Sequence, residues 1–111
     1  MIYEIRDYHY EPSLMSEYKA WASGAALPYL RANLDLVGFW TTGAEPAQVT
    51  GKALDELGSA TVTWIIRWAD METRNEQMGK VFAAEAWSEI VKSNPGIEHY
   101  HRIEARFADE L

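Results

Sequence analysis

A strand-helix-strand pattern that occurs twice constrains this chain more than any other feature. Ile2 to Tyr10 alternates in β-prone and aromatic residues, with Ile2, Glu4, Arg6 and Tyr8 on one face and Tyr3, Ile5, Asp7 and His9 on the other. Pro12 and Ser13 then offer a stop and an N-cap. Leu14, Tyr18, Trp21, Ala22 and Ala25 follow at offsets of 4, 7, 8 and 11, one apolar stripe on a helix. Pro28 disfavours helical geometry at Leu27, so a break is expected there, with a further turn through Tyr29, Leu30 and Leu34. Leu36 to Thr42 reads as the second strand. Residues 43 to 59 lack a period and form a long loop, with a short helical turn expected around Ala53 to Leu57. Thr61 to Trp68 is apolar on both faces and reads as an inner strand.

The second unit continues with Asp70 and Thr73, both candidate N-caps, Thr73 and Glu76 matching the capping box. One helix to about Val91 is expected, burying Met78, Val81, Phe82, Ala86 and Ile90, with Trp87 at the edge of the stripe. Asn94-Pro95-Gly96 ends it, and Ile97 to Phe107 alternates as an edge strand. Right-handed crossovers then give an α+β, ferredoxin-like β-α-β-β-α-β fold: a four-stranded antiparallel sheet with the helices on one face. The other face would carry aromatic surface from Tyr8, Trp40 and Trp64 or their alternates, too much to leave in water. A homodimer whose sheets face each other in a barrel is the expected remedy.

Composition narrows the function classes. At 111 residues, 48% hydrophobic and 24% charged, the chain reads as one domain, residues 1 to 111. Seventeen acidic against ten basic side chains give a net charge of −7, the wrong sign for phosphate backbones, so neither nucleic acid nor a membrane surface is an expected partner. No apolar run approaches the roughly 20 residues of a membrane span. The opening MIYEIRDYHY reads as a strand and not as a signal segment. The absence of cysteine excludes thiolate chemistry and fits a reducing compartment, so a cytoplasmic location is expected. No phosphate loop, serine elbow or His-Glu-x-x-His helix is present, and nothing in the sequence asks for a cofactor.

The opening YEIRDYHYEP, Trp21 followed by LPYL at 27 to 30, VGFWTT, WIIRWADMETR and Trp87, in this order, resemble the NIPSNAP domain. The resemblance runs from Tyr3 to about Ile90; the loop 43 to 59 and the strand 97 to 107 match no motif of it. It implies a dimeric α/β barrel, a superfamily that also holds cofactor-free quinone-forming monooxygenases, polyketide cyclases and haem-dependent enzymes. The biochemical role of bacterial single-domain members is generally undefined.

Three groups of residues could carry chemistry. Glu4, Arg6 and Tyr8 share a strand face. If that face lines the barrel, Glu4 could serve as a general base with its pKa raised by burial, Arg6 could steady an enolate or carboxylate, and Tyr8 could donate a hydrogen bond. The alternative is an ion pair of Glu4 with Arg6 that fixes sheet register. His99 and His101, two apart on a strand and so about 7 Å apart on one face, could act in the same site or supply two metal ligands, with His9 a possible third. A third ligand is missing from the local sequence, so no metal site is assigned. Trp40, Trp64 and Trp68 lie on strands and could line a pocket for a flat apolar molecule. An enzyme of this kind would have a cavity of at least about 300 Å³. A non-catalytic binding or regulatory module would fill that space with its own aromatics.

Overall fold

The computed structural model describes all 111 residues. Its sheet has the order β2-β3-β1-β4, every pair antiparallel, built from β1 (Ile2–Tyr10), β2 (Leu36–Thr41), β3 (Val62–Trp68) and β4 (Tyr100–Asp109). The two β-α-β units therefore interleave as expected, with β4 at an edge.

Cross-strand partners share a face, so the register separates the two faces of the sheet. Glu4 stands opposite Ile66 and Phe107, Arg6 opposite Trp64 and Ala105, and Tyr8 opposite Val62 and Ile103. This face is buried along β1 and β3, where Glu4, Tyr8, Tyr10, Val62, Trp64, Ile66 and Trp68 are covered, while Ile103 and Phe107 on the edge strand β4 stay 56% and 43% exposed. The opposite face carries Tyr3, Ile5, Asp7, Thr63, Ile65 and Arg67, with Trp40 beside Thr63. Tyr8 and Trp64 thus do not contribute to the open face, which is more polar than the sequence suggested and has Trp40, 49% exposed, as its tryptophan. The indole of Trp40 lies back over Gly38; a Cβ there would come within 2.4 Å of the ring, which explains a glycine in mid-strand.

The first helical segment runs as α1 (Met15–Trp21), a π-helical stretch (Ala22–Ala26) and α2 (Leu27–Asn33). No break occurs at Leu27, whose φ and ψ of −59° and −45° are helical. Pro28 falls at the start of α2, directly after the π-helical stretch, where the altered hydrogen-bond spacing accommodates its missing N–H. Ser13 is not the cap: Glu11 accepts from the Ser13 N–H at 2.9 Å and opens a short 3₁₀ turn, Pro12–Leu14. Within the loop, Asp55 holds a simple turn through Leu57 N and Gly58 N in place of the expected helical turn.

The second helical segment also departs from expectation. It divides into α3 (Met71–Ala83) and α4 (Glu85–Lys92) at Ala84, whose φ and ψ are −66° and 143°. A straight helix would bury Ala86 and leave Trp87 at the margin. The break turns Trp87 inward against Phe82, Tyr29 and Trp21, with centroids 4.9, 5.6 and 6.3 Å away, and leaves Ala86 exposed. Burial of a large aromatic favours that exchange. Carbonyls near the two helix ends find side-chain donors: Tyr29 Oη donates to Val81 O at 2.6 Å, and Trp21 Nε1 donates to Ile90 O at 2.9 Å. Of the two candidate caps, Asp70 is the one used, accepting from Thr73 N at 2.7 Å. Asp70→Ala should lower stability by about 1 kcal/mol, measured by urea unfolding, whereas loss of the exposed Glu76 carboxylate should change it little.

Candidate functional site

Between the buried sheet face and the helices lies a cavity of about 210 Å³. Tyr8, Trp64 and Phe39 form its floor, Tyr18 and Leu30 one wall, and Trp87 the other. Ile97 and Ile103, 67% and 56% exposed, stand at its rim beside β4. Its volume is below the expected 300 Å³, yet exceeds the roughly 150 Å³ that suffices for benzene. It suits a single ring with small substituents.

Glu4, Arg6 and Tyr8 do come together, on the helix-covered face and not in a barrel interior. Glu4 is fully buried and accepts four charge-assisted or indole hydrogen bonds. Oε1 receives Trp68 Nε1 at 3.0 Å and Arg74 Nε at 2.9 Å; Oε2 receives Arg6 Nη1 at 2.7 Å and Arg74 Nη2 at 2.8 Å. Burial pushes its pKa up, but the hydrogen bonds from Arg74, Arg6 and Trp68 and the charge of Arg6 outweigh burial and hold it below the ordinary 4.5. The expected raised pKa is therefore reversed, because two guanidinium groups surround the carboxylate. Glu4 is an anchor for cations, and the ion pair with Arg6 is one half of a larger cluster.

Arg6 spends Nη1 on Glu4 and Nε on Tyr8 Oη at 2.7 Å, while Nη2 makes no hydrogen bond. Its guanidinium lies 5.3 Å from the Trp64 ring centre and 5.5 Å from that of Tyr8. Burial raises the Tyr8 pKa more than Arg6 and Trp64 lower it, so the phenol stays protonated at neutral pH. Tyr8 also meets Trp64 and Tyr100 edge to face at 6.3 and 5.5 Å. Behind them Tyr18 packs on Tyr10 and Trp21. Burial, reinforced by Tyr100 and Glu98, pushes the Tyr10 phenol up to about 12.

The remaining candidates disperse. Trp64 lines the cavity; Trp68 is committed to Glu4, and Trp40 lies on the opposite sheet face. His99 belongs to a 3₁₀ turn, Ile97–His99, and not to the strand, which starts at Tyr100. Its Nε2 approaches Glu98 at 3.3 Å and its ring packs on Tyr10. His101 instead meets Glu11 at 3.1 Å, its ring 6.0 Å from that of His9. The turn separates the two histidines, and neither lines the cavity. No three His, Asp or Glu side chains converge in a metal-binding group. Arg74 was missed by sequence reasoning, hidden inside the capping-box motif; its one signal was a cation in the first turn of a helix, where the macrodipole disfavours it.

The sequence profile of the NIPSNAP family matches residues 3–109. The chain belongs to the NIPSNAP family. The match extends beyond Ile90 through β4, so the last strand is part of the domain. A NIPSNAP family protein from Agrobacterium tumefaciens is similar in structure, with 19% identity, a TM-score of 0.76, and 99% of this chain and 85% of that chain covered. An uncharacterized NIPSNAP domain protein from Burkholderia xenovorans gives 18% identity and a TM-score of 0.75, with 100% and 95% covered. A protein titled antibiotic biosynthesis monooxygenase shares the fold more distantly, at 12% identity and a TM-score of 0.57, with 100% and 99% covered. No curated protein matches the sequence. No helix is long and apolar enough to cross a membrane.

Proposed function

We propose that this NIPSNAP protein is a cytoplasmic homodimer that binds a small, largely apolar molecule in the cavity between its sheet and helices. The observation that carries this reading is the cavity itself: about 210 Å³ and walled by aromatic rings, with Asn94 and the tyrosines Tyr8, Tyr18 and Tyr100 as the few residues of its lining that carry a polar group. Such a combination of apolar lining and few polar groups is the usual make-up of a ligand site. The open sheet face supports the dimer, since Ile5, Ile65 and the half-exposed Trp40 lie on it without a covering layer. Saturation of Glu4 by four donors favours binding over acid-base conversion with Glu4 as the base, because no lone pair is left to receive a proton.

Native mass spectrometry of the protein purified from its own host, under mild and then denaturing conditions, tests both parts. A dimer that carries a reproducible extra mass, lost on denaturation, is the expected result; a monomer free of added mass would overturn the reading. Ala26, 1% exposed on the cavity wall, provides the control. Ala26→Phe should fill the space and abolish the extra mass, at a stability cost of about 1–3 kcal/mol from overpacking.

A further inference from the structure

We infer that a second copy of this chain docks along the outer edge of β4, the two β4 strands pairing antiparallel about a twofold axis at Ala105. This contact is separate from the open sheet face and does not rest on what the cavity binds.

The first observation is an unguarded edge. β4 ends the sheet, and its ten residues, Tyr100–Asp109, include no proline, glycine or lysine to discourage pairing. Its register with β1 shifts only at the start, between His9 and Tyr10, so the strand is regular from Arg102 onward. β2, at the other edge, is blunted: it has six residues, a glycine among them, and a register shift between Leu36 and Gly38. Glu110 N–H donates to Met1 O on the β1 side of β4. By alternation the N–H and C=O groups of Ile103, Ala105 and Phe107 point outward, where no strand meets them.

The second observation is self-complementarity. With the axis at Ala105, Glu104 stands opposite Arg106 of the second copy and Ile103 opposite Phe107 of the second copy, and symmetry repeats each pair. The charges are available for this: Glu104 forms no ion pair within the chain, and Arg106 reaches only Asp7, at 3.8 Å. Ile103 and Phe107 lie on the sheet face that the helices cover over β1 and β3 but leave bare at β4, so each would shield the other. The pattern also selects the register. Moving the axis by one residue sets Glu104 against Glu104, or Arg106 against Arg106. An axis at Ile103 carries Phe107 past the strand to the turn at His99. Because Ile103 also lines the cavity, the pairing brings Phe107 of the second copy to the cavity rim.

Sedimentation equilibrium of the unsubstituted protein, Glu104→Arg, Arg106→Glu and the double variant tests the contact. Each single change makes both symmetric charge pairs repulsive, and the double change restores them with signs exchanged. Each single variant should weaken association by about tenfold or more, and the double variant should recover it. Equal association of all four proteins, or no recovery in the double variant, would overturn the inference. Without the open-face dimer the associating unit is a monomer in place of a dimer, while the charge pattern is unchanged, so the two readings fail separately. The chain has no cysteine, which allows a direct reading of the axis. Cα atoms of a hydrogen-bonded antiparallel pair lie about 5.5 Å apart, within disulfide range. Ala105→Cys should therefore oxidise to a covalent dimer on a denaturing gel under conditions that leave Ala86→Cys, exposed on α4, uncrosslinked. Equal crosslinking of the two variants, or of neither, would overturn the pairing at Ala105.

Discussion

Glu4→Gln should destabilise the fold by about 2–4 kcal/mol, read by urea unfolding at pH 7. Glutamine is nearly isosteric, so packing is kept and the loss is electrostatic. Two guanidinium groups and the Trp68 indole would face an amide with one acceptor oxygen in place of a carboxylate with two. Removing one partner from a buried charge cluster strands the others, which is what makes such changes costly. The Arg6 and Arg74 side chains keep 16% and 21% exposure, so water softens the penalty below that of a fully buried pair. The same residue sets part of the acid limb of stability. Its folded pKa lies below the ordinary 4.5, so its contribution is fully present above that value and is lost as pH falls through the lowered one. Glu4→Gln should therefore flatten the loss of stability below about pH 4.5. An acid limb equal to that of the unsubstituted protein would show that Glu4 is not a source of it.

Tyr18→Ala should cost about 3–5 kcal/mol, a large part of the 5–15 kcal/mol that typically separates folded from unfolded states. Tyr18 is 1% exposed and its ring meets those of Tyr10, Trp21 and Tyr100 at 4.6, 5.4 and 6.1 Å. It joins α1 to β1 and β4 on the buried face. Its removal would also enlarge the cavity, which it lines. Tyr18→Phe keeps the ring packing and should retain most of the stability, with the two variants compared by thermal unfolding. Equal losses from both would place the energy in the hydroxyl and not in the packing.

The candidate site was only partly legible in the sequence. Glu4, Arg6 and Tyr8 were found because a strand places alternate residues on one side, and the pairing register confirms that they share a face. Their roles were not legible. The expected rise of the Glu4 pKa is reversed because that pKa depends on Arg74, seventy positions away, and no local pattern announces such a contact. Alternation alone puts His99 on a strand, whereas Gly96 allows the chain to begin with a 3₁₀ turn. Periodicity assumes that a helix continues and so puts Trp87 at the margin of a straight one; the break at Ala84 instead turns the indole onto Phe82.

Alternation, the position of the prolines and glycines, and helical spacing are local properties, and they determined the strands, the order of elements and thereby the topology, since right-handed crossovers leave few arrangements. The face of the sheet that the helices cover was left to the tertiary structure. β1 carries polar and apolar residues on both sides, Glu4 and Arg6 against Asp7 and His9, so hydrophobicity could not distinguish them. What decided it was the pairing available at a distance: Arg74 and Trp68 could satisfy a buried Glu4, and the aromatics of both helical segments could close over Tyr8 and Trp64. A charge can be buried only where its partners converge, and convergence is a property of the folded chain alone.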